Sequence, residues 1–185
     1  MVKSSFDALA QVLNVLKELN IQYMLVGSFS SNAYSYPRAT NDADIELNYV
    51  DGDLSRIRER LDGDFVIDSQ MSFELITGTV RNILTFQPTK FDIELFRLGD
   101  DPHHQERFRR RRPMTISSLG IEATIPTAED VVIQKVRWQR SKDIIDSKLV
   151  IQIQASLLDW SYIHRWTDKH GTTSLVEQLR REALT

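Results

Sequence analysis

The chain has 185 residues, a length typical of one domain or of one domain with a small helical appendage, and its 41% hydrophobic content is enough for a packed core. It contains no cysteine, which excludes disulfide bonds and thiolate metal sites, and its net charge of −3 excludes a general attraction to nucleic acid, so that polyanion binding would need a local basic patch. The N-terminus lacks a basic-then-apolar signal and no apolar run approaches the roughly 20 residues that span a bilayer, which predicts a cytoplasmic protein with no membrane partner.

The first quarter of the chain begins with a helical pattern and a buried strand. Apolar residues recur at three- and four-residue steps between residues 6 and 19, which predicts an amphipathic helix that begins near residue 4 or 5. A short apolar run at residues 23–26 predicts a buried strand that ends at Gly27. The segments that follow are a predicted helix at residues 28–36 before Pro37, a half-buried strand at residues 44–49 and a charged surface helix at residues 53–61.

Residues 65–98 favour strands, and the last third of the chain favours helices. The runs at residues 80–87 and 91–96 flank Pro88-Thr89-Lys90, a turn signal, so we predict that they pair as a hairpin. After a strand pattern at residues 121–125, the predicted helices are one opened by Thr127 and Asp130 that extends through Arg140, one at about residues 142–155, one capped by Asp159 that ends before Gly171, and one opened by Thr173 or Ser174.

Two carboxylates separated by one residue, Asp42 and Asp44, follow the pair Gly27-Ser28 after a short polar segment. If the backbone is extended there, both carboxylates share one face, and two oxygen-rich groups on one face suit a hard divalent cation such as magnesium. A Gly-Ser corner can bring backbone N–H groups close to the phosphates that accompany such a cation. The alternative is a pair of solvated turn carboxylates, since Asn-Asp clusters commonly mark loops.

These residues, with Arg38 and Thr40, resemble the signature of the polymerase-beta-type nucleotidyltransferase superfamily, in which a Gly-Gly or Gly-Ser pair precedes Asp-x-Asp at a strand start. The superfamily takes a third carboxylate from a later strand. Asp92 is the best candidate here, and Glu94, two residues further on the same predicted face, stays open as the alternative. Glu46 lies one position beyond the family pattern and is left out of the predicted ligand set.

The tail at residues 135–146 resembles the minimal bacterial branch of that superfamily, which includes antibiotic nucleotidyltransferases and abortive-infection or toxin-type enzymes. The resemblance spans roughly residues 20–165 and implies an α/β fold. In that fold a small mixed sheet flanked by helices forms the nucleotidyltransferase core, residues 1–126, and a short C-terminal helical region, residues 127–185, packs on it.

The resemblance also implies an activity: magnesium-dependent transfer of a nucleoside monophosphate from a nucleoside triphosphate to an acceptor hydroxyl. Its implied catalytic and metal-binding residues are Asp42, Asp44 and Asp92. Its implied nucleotide-binding residues are Gly27, Ser28 and Lys135. Structural roles are predicted for Arg38, by pairing with an acid, and for Thr40, by capping the turn before the carboxylates.

The acceptor depends on the densest charge run of the chain, which we call the arginine run, residues 107–112. Its residues either form a solvated face or contact the backbone of an RNA acceptor, with Phe108 available to stack on a base. A toxin-like enzyme that modifies RNA or protein is therefore the favoured hypothesis. The alternatives are an antibiotic or other small-molecule nucleotidyltransferase and a non-catalytic nucleotide-binding module. The tryptophans are predicted to lie in the core, at positions Trp138, Trp160 and Trp166.

Overall fold

The computed structural model describes residues 4–68, 72–74, 79–116 and 120–184, so residues 69–71 and 75–78 of the predicted strand-rich segment lie outside the described residues. The described residues form eight helices and eight strands. The helices are α1 (Ser5–Glu18), α2 (Gly27–Tyr34), α3 (Asp53–Arg60), α4 (Pro102–Arg110), α5 (Ala128–Trp138), α6 (Ser141–Gln154), α7 (Trp160–His170) and α8 (Thr173–Leu184). The strands are β1 (Gln22–Leu25), β2 (Asp42–Asn48), β3 (Phe65–Ile67), β4 (Ser72–Glu74), β5 (Thr79–Phe86), β6 (Phe91–Arg97), β7 (Arg112–Ile116) and β8 (Ile121–Ile125).

Several helix ends follow from local hydrogen bonding and confirm the predicted boundaries. Ser4 and Asp7 form a capping box that opens α1, since each side chain accepts a hydrogen bond from the other residue's backbone N–H. Thr127 caps α5 through the N–H of Asp130, and Gly171 ends α7 in the left-handed region.

Helix α4 was not predicted, although its start has a clear cap. Asp101 accepts hydrogen bonds from two backbone N–H groups of its first turn, and Pro102 occupies the first helical position. The buried face of α4 contains His103, His104 and Arg107, with Phe108 as its one large apolar side chain. A helix that buries mostly polar groups lacks the apolar periodicity by which sequence patterns reveal helices.

The main sheet is mixed and has the strand order β1-β2-β6-β5-β3, with β4 paired to β5. β2 and β6 run parallel, whereas the other described pairs of this sheet are antiparallel. β5 and β6 form the predicted hairpin. The parallel register places Asp92 beside Asp42 and Glu94 beside Asp44, so the acidic residues of the two strands lie on one face.

One hydrophobic cluster joins the sheet to the C-terminal helices. Ile45 and Leu47 of β2 belong to the same buried cluster as Val132 of α5 and Ile163 of α7. None of the described helices combines the length and apolar character that a membrane crossing requires. The architecture is mixed α/β, as the sequence predicted, and the division into residues 1–126 and 127–185 stays a prediction.

Candidate active site

The corner between β1 and α2 packs directly against the first half of β2. The Val26 N–H donates a hydrogen bond of 2.8 Å to the carbonyl of Asp44, and Gly27 follows with a φ of +60°. A Cβ at Gly27 would lie 1.9 Å from Oδ2 of Asp44. Glycine is therefore required at this position for two reasons, the left-handed backbone and the close approach of the Asp44 carboxylate.

Asp42 and Asp44 share one face of β2, as predicted, because the strand already begins at Asp42 and the intervening Ala43 is buried on the opposite face. Burial first, and then the charges of Asp42 and Glu94, raise the pKa of Asp44 to about 7. Lys142 and Arg140 act in the opposite direction. The site is a cluster of like charges, which a bound cation would relieve.

A cavity of about 170 Å³ opens beside this cluster, between the sheet, α4 and the corner that joins α5 to α6. Four carboxylates line it, those of Asp42, Asp44, Glu46 and Glu94. Four basic side chains also line it, those of Arg81, Arg107, Arg140 and Lys142. The cavity therefore combines acidic groups that suit a cation with basic groups that suit an anion.

The register of β6 separates the two candidates for the third carboxylate. Asp92 lies on the same sheet face as Asp42, accepts a hydrogen bond of 2.7 Å from Oγ1 of Thr85, and does not line the cavity. Glu94 lines the cavity, and burial raises its pKa although Arg81 pairs with it. The sequence alone could not choose between the two because both lie on one face of one strand. The catalytic role of Asp92 stays a prediction, and Glu94 is the better placed of the two.

Ser28 and Lys135 belong to a buried ionic network beneath the Gly27 corner. Arg38 donates two hydrogen bonds of 2.9 Å to the carboxylate of Asp146 and one of 3.0 Å to Oγ of Ser28. Nζ of Lys135, whose residue is 3% exposed, lies 2.8 Å from Asp146 and 3.3 Å from Asp143. Arg38 thus pairs with an acid, as predicted, whereas nucleotide binding by Ser28 and Lys135 stays a prediction.

The α5–α6 corner brings an aromatic ring and two cations to the cavity. Gln139 adopts a φ of +57° and ends α5, and α6 begins two residues later at Ser141. Trp138 is half-buried and lines the cavity, so its assignment to the core was wrong. The guanidinium of Arg140 lies 5.1 Å from the centre of the Trp138 ring. The sequence predicted a break between two helices near residue 141, but it did not predict that Trp138 lines the cavity, because that position depends on how α5 ends.

Most of the arginine run is engaged within the protein. Arg107 is 4% exposed and pairs with Glu46, and Phe108 is equally buried against Met24 and Val26, so the expectation that Phe108 stacks on RNA was wrong. Arg109 and Arg112 are exposed, although both also bond to neighbouring side chains. Within the run, the buried positions follow from α4, which turns one side toward the sheet.

Carboxylate oxygens are the donors that magnesium prefers, and Asp42, Asp44 and Glu94 supply them at one cavity. Burial, and then the charges of neighbouring carboxylates, raise the pKa of Asp44 and of Glu94. In the described ranges, no three histidine, cysteine, aspartate or glutamate side chains are gathered closely enough to hold an ion. The donor chemistry fits magnesium, and binding would require these carboxylates to move toward the ion.

The raised pKa of Asp44 gives a stability prediction for the metal-free protein. The pKa of this carboxyl is about 7 in the folded state and near 3.8 in the unfolded state, so the folded state keeps the proton to a higher pH. The free energy of unfolding therefore falls as the pH rises from about 4 to 7. Asp44→Asn should remove this penalty and raise the free energy of unfolding at pH 8 by roughly 1–4 kcal/mol, with little effect at pH 4. Urea unfolding in EDTA at both pH values checks it, with the exposed Asp51→Asn as the control. Equal effects at the two pH values would contradict it.

Comparison with solved structures gives three informative matches. An antigenic nucleotidyltransferase-like protein from Paracoccidioides brasiliensis aligns with a TM-score of 0.58 and 18% identity over 97% of this chain and 95% of that chain. The antibiotic-resistance factor ANT(2'')-Ia aligns in its solution structure with a TM-score of 0.55 and 12% identity, over 98% of this chain and 92% of that chain. Its crystal structure in complex with adenylyl-2''-tobramycin gives a TM-score of 0.55 and 11% identity over 98% and 97%.

At these identities the likeness concerns the fold. No protein-family model matches the sequence, and comparison with curated proteins gives no match. The alignments nevertheless cover nearly the whole of both chains, so the C-terminal helices are part of the shared architecture.

Proposed function

The chain has the polymerase-beta-type nucleotidyltransferase fold, and on this basis we propose that it is a magnesium-dependent enzyme that transfers a nucleoside monophosphate from a nucleoside triphosphate to an acceptor hydroxyl. One observation carries the proposal. Gly27, at the start of α2, packs against the carboxylate of Asp44. Asp42, Asp44 and Glu94 line one cavity beside that corner. The proposal keeps the cytoplasmic location predicted from the sequence.

Asp42 and Asp44 would hold the metal, with Glu94 or Asp92 as the third carboxylate. When bound, magnesium supplies positive charge to the phosphates and lowers the pKa of the acceptor hydroxyl. The acceptor oxygen forms a bond to the α-phosphorus as the bond from that phosphorus to the bridging oxygen breaks, and pyrophosphate leaves. Glu94 lines the cavity and burial raises its pKa, so in this proposal it would take the acceptor proton on its carboxylate.

The phosphates have two groups of candidate ligands. The first N–H groups of α2, at Gly27 and Ser28, have no carbonyl partner within their own helix and point to its N-terminal side. The second group is Lys142 and Arg140, which line the cavity. Lys135 would have to leave Asp146 to reach a phosphate, so we propose Lys142 as the more direct contact.

The activity test is transfer of label from α-labelled nucleoside triphosphates. We expect transfer to an acceptor in a cell extract with magnesium present, and loss of at least 90% of it when EDTA replaces magnesium, because the clustered carboxylates cannot orient a triphosphate without a cation. Binding of triphosphate without transfer to any fraction would instead support the non-catalytic nucleotide-binding alternative.

The acceptor was predicted to be RNA or protein, through the arginine run. The burial of Arg107 and Phe108 removes part of that support and leaves the exposed Arg109 and Arg112 as its main elements. A small-molecule acceptor, the alternative from the sequence, is favoured by the cavity of about 170 Å³ beside the carboxylates. It also agrees with the adenylyl-2''-tobramycin found with a protein of the same fold. We therefore propose a small-molecule acceptor and retain a toxin-like RNA or protein acceptor as the alternative.

A further inference from the structure

The inner end of the cavity is built from three buried polar residues that the proposed chemistry does not use. Glu46 follows Asp44 on the same face of β2, about 7 Å further along the strand. His104 and Arg107, three residues apart on α4, lie against it: Nδ1 of His104 is 3.9 Å from Oε1 of Glu46, and the guanidinium of Arg107 contacts the same carboxylate. The exposed fractions of the three residues are 3%, 6% and 4%.

Two polar atoms at this inner end lack partners. Nδ1 of His104 and Nε of Arg107 are buried and have no hydrogen-bond partner among the described residues. Buried polar groups without partners destabilise a fold, so they are rarely retained unless water or a ligand satisfies them. Both side chains line the cavity, which makes a ligand the natural source of the missing hydrogen bonds.

The charge at this end is balanced before any ligand binds. The guanidinium of Arg107 pairs with the carboxylate of Glu46. Burial lowers the pKa of His104 to about 3, so its imidazole is neutral at physiological pH. A positively charged acceptor would lie against the guanidinium of Arg107, and a negatively charged one would lie against the carboxylate of Glu46.

We propose that this inner end is the acceptor subsite and that it takes an uncharged, hydroxyl-bearing small molecule such as a sugar or polyol. The inference rests on the proposed nucleotide transfer and names its acceptor class. A hydroxyl oxygen accepts a hydrogen bond from Nε of Arg107, and a second hydroxyl pairs with the imidazole of His104. The position also fits, because Glu46 lies two residues beyond Asp44 on β2. An acceptor held there presents a hydroxyl toward a nucleotide at the Gly27 corner.

The test measures which class of acceptor receives the label. Purified protein, magnesium and α-labelled triphosphate are incubated with the neutral small-molecule fraction of a cell extract, with tobramycin as a cationic probe, and with total transfer RNA and the protein fraction as polymer probes. We expect label in the neutral fraction, at least tenfold above each of the other probes.

Three variants test the residues themselves. His104→Phe should raise the KM for the neutral fraction at least tenfold. Arg107→Gln should do the same and, because it leaves Glu46 charged, should increase labelling of tobramycin. The double variant Glu46→Gln with Arg107→Gln should lose the neutral acceptor without gaining tobramycin, and it controls for an unpaired buried charge. Triphosphate affinity should stay within twofold in all three, and the exposed Arg109→Gln should match the parent.

Two results would overturn the inference while leaving nucleotide transfer in place. One is label only in tobramycin, RNA or protein. The other is unchanged transfer to the neutral fraction in both His104→Phe and Arg107→Gln. Absence of label in every fraction would refute the proposed transfer itself, and the acceptor assignment would fall with it.

Discussion

Asp44→Ala should lower nucleotide transfer by about 10³-fold or more, equivalent to roughly 4 kcal/mol of transition-state stabilisation. Asp44 lies at the centre of the site, because it touches the Gly27 corner, shares a strand face with Asp42 and sits beside Glu94 in the parallel register. Its removal would take away both a metal ligand and the group that fixes the metal next to the phosphates. Initial rates with saturating acceptor fraction and magnesium measure the effect.

The fold should survive this change, because Asp44 contributes electrostatic repulsion rather than apolar packing in the metal-free protein. Circular dichroism and the unfolding midpoint are the controls for folding, and Asp51→Ala is the matched control for activity, since Asp51 is an exposed turn residue. Transfer by Asp44→Ala within tenfold of the parent would exclude the proposed mechanism.

Gly27→Ala should disable the site through geometry, with a loss of transfer of at least about 10²-fold. The added Cβ would lie 1.9 Å from Oδ2 of Asp44, so the carboxylate or the corner must move. The left-handed backbone adds a penalty of roughly 1–2 kcal/mol to folding. Transfer rate and urea unfolding measure the two effects.

Gly171→Ala is a matched control for the backbone penalty, because Gly171 has a φ of +68° and open space around its Cβ position. It should lose stability but keep activity. The double variant Gly27→Ala with Asp44→Ala should be destabilised less than the sum of the single effects, since Ala at 44 removes the clashing carboxylate. Additive stability losses, or full activity in Gly27→Ala, would show that the close approach does not matter.

The corner and the two β2 carboxylates were predictable because they depend on local rules. A glycine after an apolar run and an alternating pattern from Asp44 onward define a turn and a strand face without reference to the rest of the chain, and the structure starts that strand two residues earlier, at Asp42. The hairpin of β5 and β6 follows in the same way from its turn residues.

The features that were missed depend on packing between distant segments. The preference for Glu94 over Asp92 at the cavity comes from the β2–β6 register and the cavity boundary, which no local pattern encodes. The burial of Lys135 likewise requires Asp146 and Arg38, which come from separate elements. Helix α4 was missed because its buried face is mostly polar. Two residues of that face, His104 and Arg107, line the inner end of the cavity.

The ionic network beneath the Gly27 corner has a consequence for cooperativity. Arg38 and Ser28 come from the N-terminal part of the chain, whereas Lys135 and Asp146 come from α5 and α6. Separating the two parts would break the two charge-assisted hydrogen bonds from Arg38 to Asp146, which raises the free energy of the separated state. A local opening of the C-terminal helices is therefore tied to loss of the corner that holds Asp44. Amide hydrogens in α5 and in α2 should accordingly exchange through one shared opening event. The Gly27 corner and its contact with Asp44 would then form or be lost as a unit.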